Sequence, residues 1–144
     1  MSKPGNIYKR SAIIICNKDL IRKEISAFLN LWGIKTFSFR ATSEDIPLNN
    51  GYDMAIVFES PGFLKEEREL LKAYFKSNSK SRIIYIYDHI DYCNAILKEM
   101  GPVVIPIKYK AESLFITLRS ITDLVTRKAA TSFMQRIIKV YQEW

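Results

Sequence analysis

Four short clusters carry side chains that could bind or transform a ligand: Cys16-Asn17-Lys18-Asp19, Phe58-Glu59, Tyr87-Asp88-His89 and Ile105-Pro106. A cysteine beside a lysine at a helix start could be an activated thiolate, because nearby positive potential lowers a thiol pKa. The only imidazole that could serve it as a base is His89, the single histidine of the chain, so a small core residue is the simpler reading of Cys16. Lys18 could hold an anion at a helix N-terminus. The loop around it contains no glycine to bring backbone amides against a phosphate, and Asn17 or Asp19 reads more simply as a helix cap. Asp88-His89 could do acid–base work, although a lone histidine opening a helix is more commonly a solvent-facing residue. Cys16, Cys93 and His89 supply too few ligands for zinc. Tyr85 and Tyr87 read as strand packing rather than a base-stacking platform. The expectation is no cofactor, no metal and no enzymatic activity.

Apolar periodicity supplies the elements that carry these clusters. Ala12–Cys16 is an unbroken, mostly β-branched run, the pattern of a strand covered on both faces of a parallel sheet. Leu20, Ile21, Ile25, Phe28, Leu29 and Trp32 follow at helical spacing, and Gly33 ends that helix as a left-handed cap. Thr36–Phe39 alternates as a second strand, and residues 41–51 are turn-rich. Asp53–Phe58 is a third strand, and Leu64–Lys76 a helix with Leu64, Leu70, Leu71, Tyr74 and Phe75 as its apolar members. Ile83–Tyr87 is a fourth strand, followed by a helix that Asp88 can cap and that Gly101-Pro102 ends. Val103–Ile107 is a fifth strand, placed at an edge or turn by Pro106. Alternation of strand and helix predicts an α/β fold: a doubly wound, five-stranded parallel sheet in flavodoxin-like order 2-1-3-4-5. In such a sheet the four clusters stand at the carboxyl ends of the strands, where ligands bind.

Composition narrows the classes. The 144 residues suit one domain, and 48% hydrophobic with 26% charged residues argues for a packed core rather than disorder. No apolar run reaches the roughly 20 residues of a membrane span, and the start shows no apolar segment behind a basic cluster. Two widely spaced cysteines suit a reducing, cytoplasmic setting. The net charge of +7 invites a nucleic-acid reading. The basic residues are nevertheless scattered among acidic ones, without a recognition motif.

The order and spacing of these segments resemble the receiver domains of response regulators and hybrid sensor kinases over about residues 10–127. The resemblance rests on Ala12–Cys16 followed by Asn17-Lys18-Asp19-Leu20-Ile21-Arg22, on Leu31-Trp32-Gly33-Ile34, on Tyr52–Val57 and on Val104-Ile105-Pro106-Ile107. Active receivers transfer a phosphoryl group to an aspartate with a magnesium ion and a lysine, and magnesium prefers carboxylate oxygens. The resemblance aligns the acidic metal pair with Cys16 and Asn17. It aligns the nucleophile with Phe58, the switch hydroxyl with Tyr87 (or with Asp88 after a one-residue slip) and the lysine with Ile105. None of these can do the family's chemistry. A bulge could bring Glu59 to the nucleophile position, but strand alternation points it the other way. There it could act at most as a built-in mimic of the phosphorylated state.

The resemblance therefore implies a pseudo-receiver, non-phosphorylatable, that works as a protein–protein interaction module. Its partner would be a kinase, a regulator or an output domain. By resemblance the docking face lies on the helix after the fourth strand, the fifth strand and the last helix: Tyr92, Ile96, Ile107, Tyr109, Leu114, Phe115 and Leu118. Residues 1–10 read as a flexible lead-in, 11–127 as the receiver-like domain and 128–144 as a C-terminal helical extension. An apolar stripe through Leu114, Leu118, Ile121, Val125, Ala129, Phe133, Ile137, Val140 and Trp144 predicts one long helix. The broad apolar face with Phe133, Ile137, Tyr141 and Trp144 favours a homodimer or partner contact. Two other functions remain compatible with the sequence. A basic nucleic-acid-associated regulator would lose binding steeply with salt, and a small-molecule sensor would be stabilised by its ligand.

Overall fold

The computed structural model describes residues 10–43, 45–110 and 116. Strand β1 (Arg10–Ile15) leads into helix α1 (Asp19–Leu31) and strand β2 (Ile34–Phe39). Strand β3 (Met54–Phe58) is followed by helix α2 (Leu64–Ser77), strand β4 (Arg82–Tyr87), helix α3 (Ile90–Met100) and strand β5 (Val104–Lys108). The five strands form one parallel sheet in the order β2-β1-β3-β4-β5. The sheet is therefore doubly wound in flavodoxin-like order. Arg10 already belongs to β1, and residues 1–9 of the expected lead-in lie outside the described residues. The C-terminal helix, with Leu114, Phe115, Leu118, Phe133, Ile137, Tyr141 and Trp144, lies outside the described residues.

Period-two alternation divides the sheet into two apolar faces. Ala12, Ile14, Cys16, Ile56, Phe58, Ile84 and Ile86 pack with Ile25, Phe28 and Leu29 of α1. Ile13, Ile15, Ala55, Val57, Ile83 and Tyr85 pack with Leu71 and Tyr74 of α2 and Cys93 and Ile96 of α3. Because β1, β3 and β4 are covered on both sides, their sequences are continuous apolar runs. Burying each large side chain contributes about 1.5–3 kcal/mol.

Local signals act as expected at the helix ends. Gly33 takes φ 76° just past α1 and donates its N–H to Asn30 O at 3.0 Å, a left-handed cap that spares a Cβ penalty. Gly101 takes φ 67° at the end of α3. Pro106 sits in the edge strand β5, where a missing donor is tolerated.

Several sequence expectations are corrected. Leu20 does not join the core; it stands 77% exposed in the first turn of α1, one position off the inward stripe. Val103 belongs to a 3-10 turn rather than to β5. The N-cap of α1 is Lys18 and that of α3 is His89, and neither side chain caps its own helix. Asn17 accepts the Ala41 N–H at 2.7 Å, pinning the segment after β2. Asp19 instead pairs with Arg22 at 2.9 Å, and α3 is closed from outside by Glu59.

Candidate functional site

Parallel strands bring the predicted clusters to one edge. Ile15 pairs with Val57 and Phe58 with Ile86, so Cys16 and Phe58 follow each other's neighbours at the same level. Cys16 closes β1 without a solvent path: it is 0% exposed, and its thiol lies 3.4 Å from Lys18 O. Burial pushes that thiol up, against a smaller downward pull from the Lys18 backbone and Arg22. It is a core thiol rather than an activated nucleophile. Arg22 donates to Cys16 O at 2.8 Å, fixing the turn into α1.

Phe58 is 2% exposed and meets Tyr109 edge-on, with ring centroids 4.9 Å apart. The Lys18 ammonium stands 5.2 Å from the centre of the Phe58 ring and 5.9 Å from that of Tyr109. A cation within about 6 Å of an aromatic face is attracted by the ring quadrupole, by roughly 0.5–1 kcal/mol where water has access. The junction of β1, β3 and β5 is thus filled by two rings and a lysine of the chain itself. Among the described residues no group of three or more His, Cys, Asp or Glu side chains could hold a metal ion.

Glu59 is directed elsewhere. Its N–H extends the ladder to Ile86 O at 2.8 Å. Its carboxylate accepts the N–H of Asp88 at 2.6 Å and of His89 at 3.0 Å, and its Oε1 lies 2.5 Å from His89 Nδ1. The amides just ahead of a helix's first turn lack intrahelical acceptors, and a negative group there is favoured by the helix dipole. Glu59 is therefore a clasp between the end of β3 and the start of α3. Phe58 and Glu59 serve opposite sides of the sheet, as alternation requires.

The remaining sites are less coherent than the sequence suggested. Tyr87 ends β4 half-buried, and its carbonyl accepts the Tyr109 N–H at 2.6 Å. Asp88 is exposed. Ile105 pairs with Ile84, well short of the strand end, whereas the terminal residue of β5 opposite Tyr87 is Lys108. The exposed side chain at the β5 tip is thus that of Lys108. Val103 and Gly101 occupy a turn, which shifts β5 downstream of the reading based on Pro106.

The predicted docking face is also divided. Ile96 is 0% exposed in the α2–α3 core and Tyr109 9% exposed against Phe58. Both are packing residues of the described fold. Ile107 is half-buried against the α1-side core. Tyr92 is half-buried with its ring 5.6 Å from that of His89.

Sequence reasoning missed Glu67. It lies in the charged run Lys65-Glu66-Glu67-Arg68-Glu69, which reads as a solvated face. Its spacing from Leu64, Leu71 and Tyr74 sets it on the inward stripe of α2, and it is 1% exposed. A cavity of about 400 Å³, lined by Tyr52, Asp53, Asn78 and Lys80 among others, lies at the amino ends of β3 and β4, remote from the predicted clusters.

No family model and no curated protein matches the sequence. Solved structures do resemble the fold. A Burkholderia pseudomallei response regulator, crystallised with a phosphorylated aspartic acid, calcium ion and citrate, superposes with a TM-score of 0.61 at 11% identity, over 91% of this chain and 75% of that one. A carbohydrate esterase family 2 enzyme with its carbohydrate binding domain, from Corynascus thermopiles (Myceliophthora fergusii), gives 0.60 at 6% identity, over 85% and 68%. A fusion carrying the yeast Spc42 trimeric coiled coil gives 0.52 at 15% identity, over 93% and 95%. At such identities the likeness is one of fold. This is a receiver-like, doubly wound α/β fold. No described helix is long and apolar enough to cross a membrane.

Proposed function

We propose that the chain is a receiver-like signalling module that has given up phosphoryl transfer and acts by binding another protein. The observation that carries this reading is Phe58, a buried ring at the tip of β3 packed on Tyr109 beneath the Lys18 ammonium. A phenyl group has no lone pair to attack phosphorus, and a cation beside it opposes entry of a magnesium ion. Cys16 and Asn17 are committed to packing and to the Ala41 amide, so neither offers the oxygen ligands magnesium prefers. Lys108 keeps a cation at the β5 tip, but with no carboxylate nucleophile level with it. The partner would be a kinase, a regulator or an output domain. The C-terminal segment, from Phe133 through Ile137 and Tyr141 to Trp144, is the proposed place of contact or dimerisation.

Intact protein incubated with acetyl phosphate, or with beryllofluoride and magnesium, tests the first half. The expected result is no mass gain and no magnesium-dependent binding; a stable adduct would overturn the reading. Pull-downs with the intact chain and with one ending at Arg127 test the second half. Equal capture by both would remove the C-terminal segment from the proposal.

One observation favours a refinement, that the module is held in a single signalling state. Glu59 already supplies a negative group to the amides of Asp88 and His89. A segment between β4 and α3 clasped in this way needs no added phosphate to hold its position. Glu59→Ala should then change partner affinity, and unchanged affinity would count against the refinement.

A further inference from the structure

Glu67 takes no part in the cluster at the strand ends, yet it is buried more deeply than Glu59, at 1% against 4% exposure. It projects from the first turns of α2 onto β4, where the Tyr85 hydroxyl donates to its Oε2 at 2.9 Å. Its Oε1 and the neighbouring buried Ser60 hydroxyl form no hydrogen bond of regular geometry, although the Ser60 hydroxyl and backbone N–H lie close enough to favour the charged carboxylate in part. An ionised carboxylate out of water needs several donors or a cation. The groups facing this one are Tyr85 from β4, Ser60 and the Glu59 carboxylate from the β3–α2 connection, and the Cys93 thiol from α3 beside Tyr85. The cations of this layer are engaged elsewhere: Arg68 and Lys72 both reach Glu99 of α3. A proton on the carboxyl, by contrast, removes both the charge that burial penalises and the repulsion from Glu59.

We propose that Glu67 is a proton switch for the seating of α2: protonated, it holds the first half of α2 and the Pro61–Phe63 turn on β4, and ionised, it loosens them. Desolvation, against the opposing pull of the Tyr85 and Ser60 donors and with a small push from Glu59, raises Glu67 from 4.5 to about 7, so the switch works near neutrality. Burial pushes the Tyr85 hydroxyl up as well, and it stays a neutral donor on both sides of the transition. The inference is independent of how the domain signals.

Carboxyl-carbon NMR titration of the intact protein, combined with amide hydrogen exchange over residues 64–71, tests it. Glu67 is expected to titrate near neutrality. Protection of those amides, corrected for intrinsic exchange, should fall on the order of tenfold to a hundredfold between about pH 5 and about pH 8 while α1 is unchanged. Glu67→Gln should keep high protection at both pH values. Tyr85→Phe, which removes the hydroxyl that donates to the anion at 2.9 Å, should move the midpoint upward. Ionisation of Glu67 in the ordinary carboxylate range would overturn the proposal, as would an equal loss of protection in Glu67→Gln. The wild-type titration and the Tyr85→Phe shift decide the matter even if Glu67→Gln fails to fold.

Discussion

Glu59 and His89 are thirty residues apart in sequence and in direct contact, with Oε1 of one 2.5 Å from Nδ1 of the other. The contact joins the end of β3 to the start of α3, and the backbone amides of Asp88 and His89 converge on the same carboxylate. Because the histidine side chain is 62% exposed, most of the clasp resides in the amide bonds. A contact from so exposed a ring adds little.

Glu59→Ala should therefore destabilise the fold by about 1–2 kcal/mol, the range for losing a helix-terminal acceptor. His89→Ala should cost only a few tenths of a kcal/mol. Urea unfolding followed by circular dichroism measures both, and a larger loss for His89→Ala would show that the ring, not the amides, carries the contact.

The aromatic junction makes a second prediction. Phe58→Ala should cost about 3–5 kcal/mol, the usual range for emptying a buried aromatic site. Lys18→Met, which removes the cation and keeps most of the stem, should cost no more than about 1 kcal/mol. Phe58→Asp alone should not create a phosphorylation site, since Cys16 and Asn17 still offer no carboxylate. Replacing all three by aspartate, with Lys108 already at the β5 tip, should produce measurable magnesium binding by titration calorimetry. Failure of a folded triple variant to bind magnesium would mean that these strand ends do not correspond to the receiver metal site.

Stability should depend on pH through Glu67. Its folded value, about 7, lies above the unfolded 4.5, so the folded state binds the proton more tightly. The resulting stabilisation is complete below about pH 4.5 and is lost as pH rises toward about 7. The loss is on the order of 3 kcal/mol at most, at 1.36 kcal/mol per pKa unit. Glu67→Gln should remove this dependence and exceed the wild type in stability at alkaline pH. Denaturant midpoints across the pH range check it, and a wild type that gains stability over this window contradicts it.

Both described cysteines are buried, and burial pushes both thiols up. Thiol reagents should react slowly with the native protein and rapidly in urea, in proportion to the unfolded fraction. Fast native labelling of Cys16 would reopen a nucleophilic role for it.

The architecture was legible because it depends on patterns that survive in one dimension. Continuous apolar runs mark β1, β3 and β4 because both faces of those strands are covered, and Gly33 and Gly101 mark helix ends because only glycine takes positive φ there cheaply. That Phe58 offers no carboxylate at the tip of β3 was equally plain, since side-chain chemistry is local. Pairing register was not: Pro106 suggested Ile105 as the strand-tip residue, and only the hydrogen-bonded alignment with β4 puts Lys108 there. Tertiary structure also decided the fate of the two glutamates. Sequence showed Glu59 as an orphan beside an alternation rule and hid Glu67 in a charged run. Their roles depend on the amides of Asp88 and His89 and on the Tyr85 hydroxyl, partners from strands and turns far along the chain. What a residue can do is written in its own atoms, but whether water or another part of the chain satisfies its charge is settled only when the fold brings that part to it.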